Sequence, residues 1–179
     1  MSDDILPEKW MKGVAVTVTC LAVMTAIAAA RGSACLVKTQ LLTALESSKW
    51  AYYQAKSIKQ NLAEMQKNGF EVESVGATNA DQQALYESKL KTAASEIERY
   101  NTEKNQIKTE AEDAAALNKL VAAKGNFFSG AVVFFQIAIM LSSVSALLKK
   151  KFMWVAGLFF GAIAIVLLSY GLFLTPLLF

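Results

Sequence analysis

Residues 126–148 read NFFSGAVVFFQIAIMLSSVSALL, residues 149–151 read KKK, and residues 152–175 read FMWVAGLFFGAIAIVLLSYGLFLT. Two apolar runs without Asp, Glu, Lys or Arg are thus split by three lysines. An uncharged apolar run of 18 or more residues is long enough to cross a bilayer as a helix. A helix satisfies its own backbone there, whereas irregular chain does not. A third such run, GVAVTVTCLAVMTAIAAA, lies at 13–30, and about 95 mostly polar residues separate it from the second. The pattern predicts an all-α membrane protein: three transmembrane helices with a long antiparallel helical (coiled-coil) hairpin inserted between the first and second.

The expected segments are a cytoplasmic amino-terminal stretch (1–12), transmembrane helix one (13–31), an extramembrane hairpin (32–125) and transmembrane helix two (126–148). A short basic turn (149–151) and transmembrane helix three with the carboxyl end (152–179) complete the chain. Ala28-Ala29-Ala30 resembles a signal-peptide cleavage site, but the segment before the first run is not strongly basic, so the run reads as an uncleaved anchor.

Charge sets the orientation and excludes classes. The insertion 33–125 holds 12 basic and 12 acidic residues, and the net +3 arises at the membrane flanks. A neutral insertion offers no electrostatic footprint for nucleic acid. Short loops rich in lysine stay cytoplasmic, so Lys149, Lys150 and Lys151 are the topology determinants. With Lys9 and Lys12 they place the amino end inside and the insertion outside, periplasmic in a bacterial inner membrane. Arg31, Lys38, Lys119 and Lys124 oppose this, five positives against four.

Histidine is absent, which removes the commonest general base and the usual zinc ligand. Cys20 and Cys35 are too few for a disulfide framework. No catalytic, cofactor-binding or metal constellation stands out, so the expectation is no enzyme, no cofactor and no metal.

Within the insertion, two 4,3-spaced seams stand out. One is Val37, Leu41, Ala44, Ser48, Ala51, Ala55, Ile58, Leu62, Met65. The other is Tyr86, Leu90, Ala93, Ile97, Tyr100, Lys104, Ile107, Ala111, Ala114, Asn118, Val121. Asn68-Gly69 and Gly76–Asn79 punctuate between them. Gly69 reads as a left-handed helix end and Asn79 as a cap with Gln82 as its partner. The first arm (33–68) has five Lys and two Glu, the second (80–124) seven basic and eight acidic residues. Opposite charge weakly favours pairing, but the apolar seam is expected to hold the arms together.

Small residues mark the candidate packing faces: Ala15, Thr19, Ala22 and Ala26 in the first span, and Gly157, Gly161 and Ala164 in the third. Such faces let helices approach in a bilayer. Gln136, mid-span, reads as an interhelical hydrogen bond before a pore-lining amide. Trp10, Arg31 and Trp154 read as interfacial anchors. The spans hold no ionisable residue, which argues against a proton-coupled transporter.

Trp50-Ala-Tyr-Tyr-Gln-Ala-Lys-Ser-Ile-Lys59 is the most distinctive stretch. Together with Glu98-Arg99-Tyr100, Glu103-Lys104, Ile107, Phe135-Gln136-Ile137-Ala138-Ile139 and Trp154, it resembles a bacterial membrane family called domain of unknown function 4337. The resemblance covers nearly the whole chain and departs at the amino end, which is shorter here. It implies the same order of spans and no activity. Trp50, Tyr53, Gln54 and Lys56 are read first as helix packing, then as a candidate recognition patch for a protein or glycan.

The functional expectation is a homo-oligomeric scaffold displaying a coiled-coil stalk, with the lipid bilayer, other copies and an unidentified protein at the hairpin as partners. The alternatives are a subunit of an oligomeric channel or pore, with Gln136 or Thr17 and Thr25 lining it, and an accessory subunit of a larger membrane complex.

Overall fold

The structure, a computed structural model, describes residues 5–173, with side-chain surroundings from Trp10 onward. The first four residues of the expected cytoplasmic stretch and residues 174–179 lie outside it. The fold is all-helical: α1 (Ile5–Val75), α2 (Ala80–Leu148) and α3 (Lys151–Phe173). All three are long and apolar enough to cross a membrane. No proline interrupts α1 beyond its first turn or enters α2 or α3, so nothing removes a helical hydrogen bond.

Gly69 does not end a helix. α1 runs through it to Val75, and no glycine among the described residues has a positive φ. A Cβ added at Gly69 would meet nothing within 4 Å. The turn comes later, where Gly76 and Ala77 donate their N–H groups to the carbonyls of Glu73 and Ser74. Asn79 directly precedes α2, and its carbonyl accepts the Gln83 N–H at 3.1 Å. The side chain that reaches back is Gln83, not Gln82, and it donates to the Ala77 carbonyl.

The chain divides into two compact units, a span unit (1–40 and 119–179) and an insertion unit (41–118). In the insertion unit, α1 and α2 make contact through pairs whose numbers move oppositely. Thr43 meets Asn118, Lys49 meets Glu110, Lys56 meets Glu103 and Gln60 meets Lys104. The two segments therefore run in opposite directions. On α2, the positions from Tyr86 to Asn118 in the expected seam are all buried or half-buried.

The expected α1 seam is overturned. Leu41, Ala44, Ser48, Ala51, Ala55, Ile58, Leu62 and Met65 are all exposed, as is Val37 in the span unit. The covered positions are Leu42, Glu46, Lys49, Tyr53, Lys56, Gln60, Ala63, Lys67 and Phe70. This row keeps the 4,3 spacing but is rotated by roughly 150° at about 100° per residue. The physical reason lies on α2, whose inner side carries Tyr100, Glu103, Lys104, Glu110 and Asn118. Such groups are costly to cover unless partnered, and the polar row of α1 supplies the partners.

In the span unit, buried side chains recur every seven residues on α1, at Val14, Leu21, Ala28 and Cys35. Phe128, Ala131, Phe135, Ala138 and Ser142 of α2 and Ala164 and Leu168 of α3 are buried in the same unit, with Leu21 beside Gly161 and Cys35 beside Gly125. The α2–α3 connection is shorter than expected: Lys149 and Lys150 turn, and Lys151 already opens α3. Lys149 has φ 52°, a left-handed conformation that costs a non-glycine residue about 1–2 kcal/mol. Two bonds to one residue hold it. The Lys150 N–H donates to the Ser145 carbonyl, and the Ser145 hydroxyl donates to the Lys150 carbonyl at 2.8 Å.

Candidate interaction surfaces

The small residues of the third span serve contacts inside the chain. At Gly157, a Cβ would lie 2.6 Å from Ser142 Oγ and 3.0 Å from the Ala138 carbonyl oxygen. At Gly161, it would lie 3.2 Å from Leu21 Cδ2. Both glycines and Ala164 are buried, so the backbone of α3 lies directly against α2 and α1, as small residues permit. Trp154 closes the same end, donating its indole N–H to Thr17 Oγ1 at 3.2 Å. Thr17 and Thr25 also return their hydroxyls to the Val14 and Leu21 carbonyls.

The small residues of the first span do the opposite. Ala15, Thr19, Ala22 and Ala26 are all exposed. Gln136 is exposed too, and among the described residues it makes no hydrogen bond. The expected bond from Gln136 to a neighbouring helix does not form within the chain.

In the insertion unit, the candidate recognition residues divide. Trp50 and Tyr53 are half-buried and meet edge-on at 5.6 Å. Lys56 is gripped by Glu103 at 2.5 Å and lies 5.4 Å from the ring centres of both Tyr52 and Tyr100. Gln54 is exposed. Trp50, Tyr53 and Lys56 thus act in packing, and the four side chains do not form one outward patch.

Two ion pairs form the rungs between the helices, Lys49–Glu110 and Lys56–Glu103, both at 2.5 Å. The hydrogen bond to Glu103 raises the Lys56 pKa, and the bond from Lys56 lowers that of Glu103. The Lys49 bond likewise lowers Glu110. Lys104 adds a third rung, donating to Gln60 Oε1 at 3.0 Å while lying 5.2 Å from the Tyr53 ring centre. Sequence reasoning counted the charges of the two arms but did not single out Glu103 and Glu110 as the residues between the helices. The available signal was a 7-residue lysine spacing, 49 to 56, against the same acidic spacing, 103 to 110.

Among the described residues, no group of three His, Cys, Asp or Glu could hold a metal ion. A cavity of about 520 Å³ opens between α1 and α2 of the span unit, lined by Gly32, Cys35, Ala122, Gly125 and Asn126 among others. Its walls are mostly small residues, and no charged side chain lines it.

A family model for a domain of unknown function, DUF4337, matches residues 10–174. The chain belongs to the DUF4337 family. Comparison with curated proteins and with solved structures finds no match. The matched range takes in all three apolar helices and the whole insertion of this DUF4337 chain. The three helices and the family together describe a protein with candidate membrane spans and no assigned activity.

What remains uncovered in this DUF4337 chain is therefore the informative part. On α1 of the insertion unit, Leu41, Ile58, Leu62 and Met65 are 68%, 68%, 55% and 71% exposed. Leu45 and Tyr52 flank them, at 44% and 53% exposed. Across 41–66, the eight former seam positions and their flanks at 45, 47, 52, 54, 59, 61 and 66 carry a single charge, Lys59. A contiguous exposed apolar stripe is a feature that folded chains seldom leave uncovered.

Proposed function

We propose that this DUF4337 chain is a homo-oligomeric membrane scaffold. Three spans anchor it, and copies meet through the antiparallel α1–α2 hairpin, a coiled-coil stalk. The observation that carries the reading is the bare aliphatic stripe from Leu41 to Met65. The segment lies beyond the first apolar run and holds the charged rungs, so lipid does not cover it. A second copy does: the stripe is nearly uncharged, so placing it against itself sets no like charges opposite one another.

The lysine-rich turn supports a cytoplasmic location for the α2–α3 connection and a periplasmic one for the stalk, in a bacterial inner membrane. No reaction is assigned, and the scaffold reading requires none.

The deciding experiment is native mass spectrometry of the full chain extracted into nanodiscs. A closed homo-oligomer that shifts to smaller species in Ile58→Glu, with helix content unchanged, is the expected result. A monomeric wild type, or a particle containing other chains, overturns the reading in favour of an accessory subunit.

A further inference from the structure

The span unit has its own uncovered row. On α2, Asn126, Ser129, Val133, Gln136, Met140 and Ser143 recur at 3,4 spacing and all six are exposed. Buried Phe128, Ala131, Phe135 and Ala138 occupy the other side of the same helix. Ser143 satisfies itself locally, its hydroxyl donating to the Ile139 carbonyl at 2.8 Å. Gln136 has no such outlet and makes no hydrogen bond among the described residues. Its amide carries two donors and one two-lone-pair acceptor, and hydrocarbon offers no partner for any of them.

We propose that the α2 spans of two copies pair along this row, parallel and in register, with each Gln136 amide bonded to its counterpart in the second copy. The inference rests on the self-association argued above and names a contact within the span unit. A second copy fits for three reasons. A carboxamide is self-complementary, donor to acceptor in both directions. Two copies inserted with one orientation necessarily run parallel, so equal residues lie at equal depth. The 3,4 spacing is the one that keeps two helices in contact over many turns, and Val133 and Met140 pack between the polar rungs, where they are 53% and 65% exposed in the isolated chain.

The test is cysteine cross-linking of the full chain in liposomes, in a Cys20→Ser, Cys35→Ala background. Val133→Cys and Met140→Cys are compared with Val23→Cys on α1 and Ile165→Cys on α3, both also exposed in the span unit. The expected result is at least a fivefold higher dimer yield at 133 and 140. Gln136→Leu added to Met140→Cys lowers that yield, and Gln136→Asn restores part of it. Equal yields at all four positions, or no effect of Gln136→Leu, overturn the proposal. So does reaction of Met140→Cys with a membrane-impermeant thiol reagent, which makes the row the wall of an aqueous conduit. An oligomeric wild type whose cross-links lie elsewhere sinks this inference and leaves the scaffold standing. A monomeric wild type removes both.

Discussion

The insertion unit places four ionic groups between its helices, beside buried Leu42, Ala63 and Ile107, and leaves an aliphatic row bare. Lys49, Lys56, Glu103 and Glu110 lie between its helices, while Leu41, Ile58, Leu62 and Met65 face out. The span unit covers glycine, serine and phenylalanine in close contact and bares a glutamine. Each unit leaves uncovered some groups that its own contacts do not use, aliphatic side chains of α1 in one and the Gln136 amide in the other. The contrast motivates the self-association proposed above, which would cover the faces that contacts within one chain leave bare.

The largest expected effect tests the covered side of the span unit. Gly157→Leu forces a side chain onto Ser142 and the Ala138 carbonyl, and overpacking costs about 3 kcal/mol. Thermal unfolding in detergent should show a large fall, whereas Ala162→Leu, at an exposed position on the same helix, should be close to neutral. Equal effects would mean that α3 is not held where Gly157 meets Ser142.

The next effect tests the bare side of the insertion unit. Ile58→Glu should weaken self-association by about 2 kcal/mol, the value of burying one aliphatic side chain, or roughly 30-fold in dissociation constant. Sedimentation of dilution series reads this directly, and circular dichroism should show unchanged helix. A loss of helix instead would show that Ile58 supports its own chain, contrary to its exposure.

A smaller effect, of opposite sign, belongs to the turn. Lys149→Gly should stabilise by about 1 kcal/mol by relieving the left-handed conformation, raising the unfolding midpoint without changing the oligomer. No change would mean that the two bonds to Ser145 already absorb the strain.

The smallest effect tests the covered ionic rungs. Glu103 and Glu110 have lowered pKa values, so they contribute stability above the ordinary carboxylate value of 4.5 and lose it as pH falls through the lowered range. The raised Lys56 contributes fully below its ordinary value of 10.5 and loses its part above it. Both terms are present at neutral pH. Glu103→Gln with Glu110→Gln should lower the unfolding midpoint at pH 7, and the gap to wild type should close as pH falls below 4.5. A gap that persists in acid would assign the effect to packing instead of charge.

The sequence by itself determined the three apolar helices, the α2 face from Tyr86 to Asn118 and the absence of a histidine. Each follows from composition or period along one segment, because burial in a bilayer or against a neighbour leaves a local trace. On α1, the same period pointed to the wrong side. Leu41, Ala44, Ile58 and Leu62 make the more apolar row, and a rule built on apolarity selects it. Only the tertiary structure decided that Lys49, Tyr53, Lys56 and Gln60 turn inward, since that choice depends on Glu110, Tyr100, Glu103 and Lys104, more than forty residues away in sequence. Likewise, the third span's glycines were legible as a close-packing face, but not as one used within the chain. Whether a small residue meets its own chain or another is set by which neighbour the fold brings up to it, and no single helix carries that information.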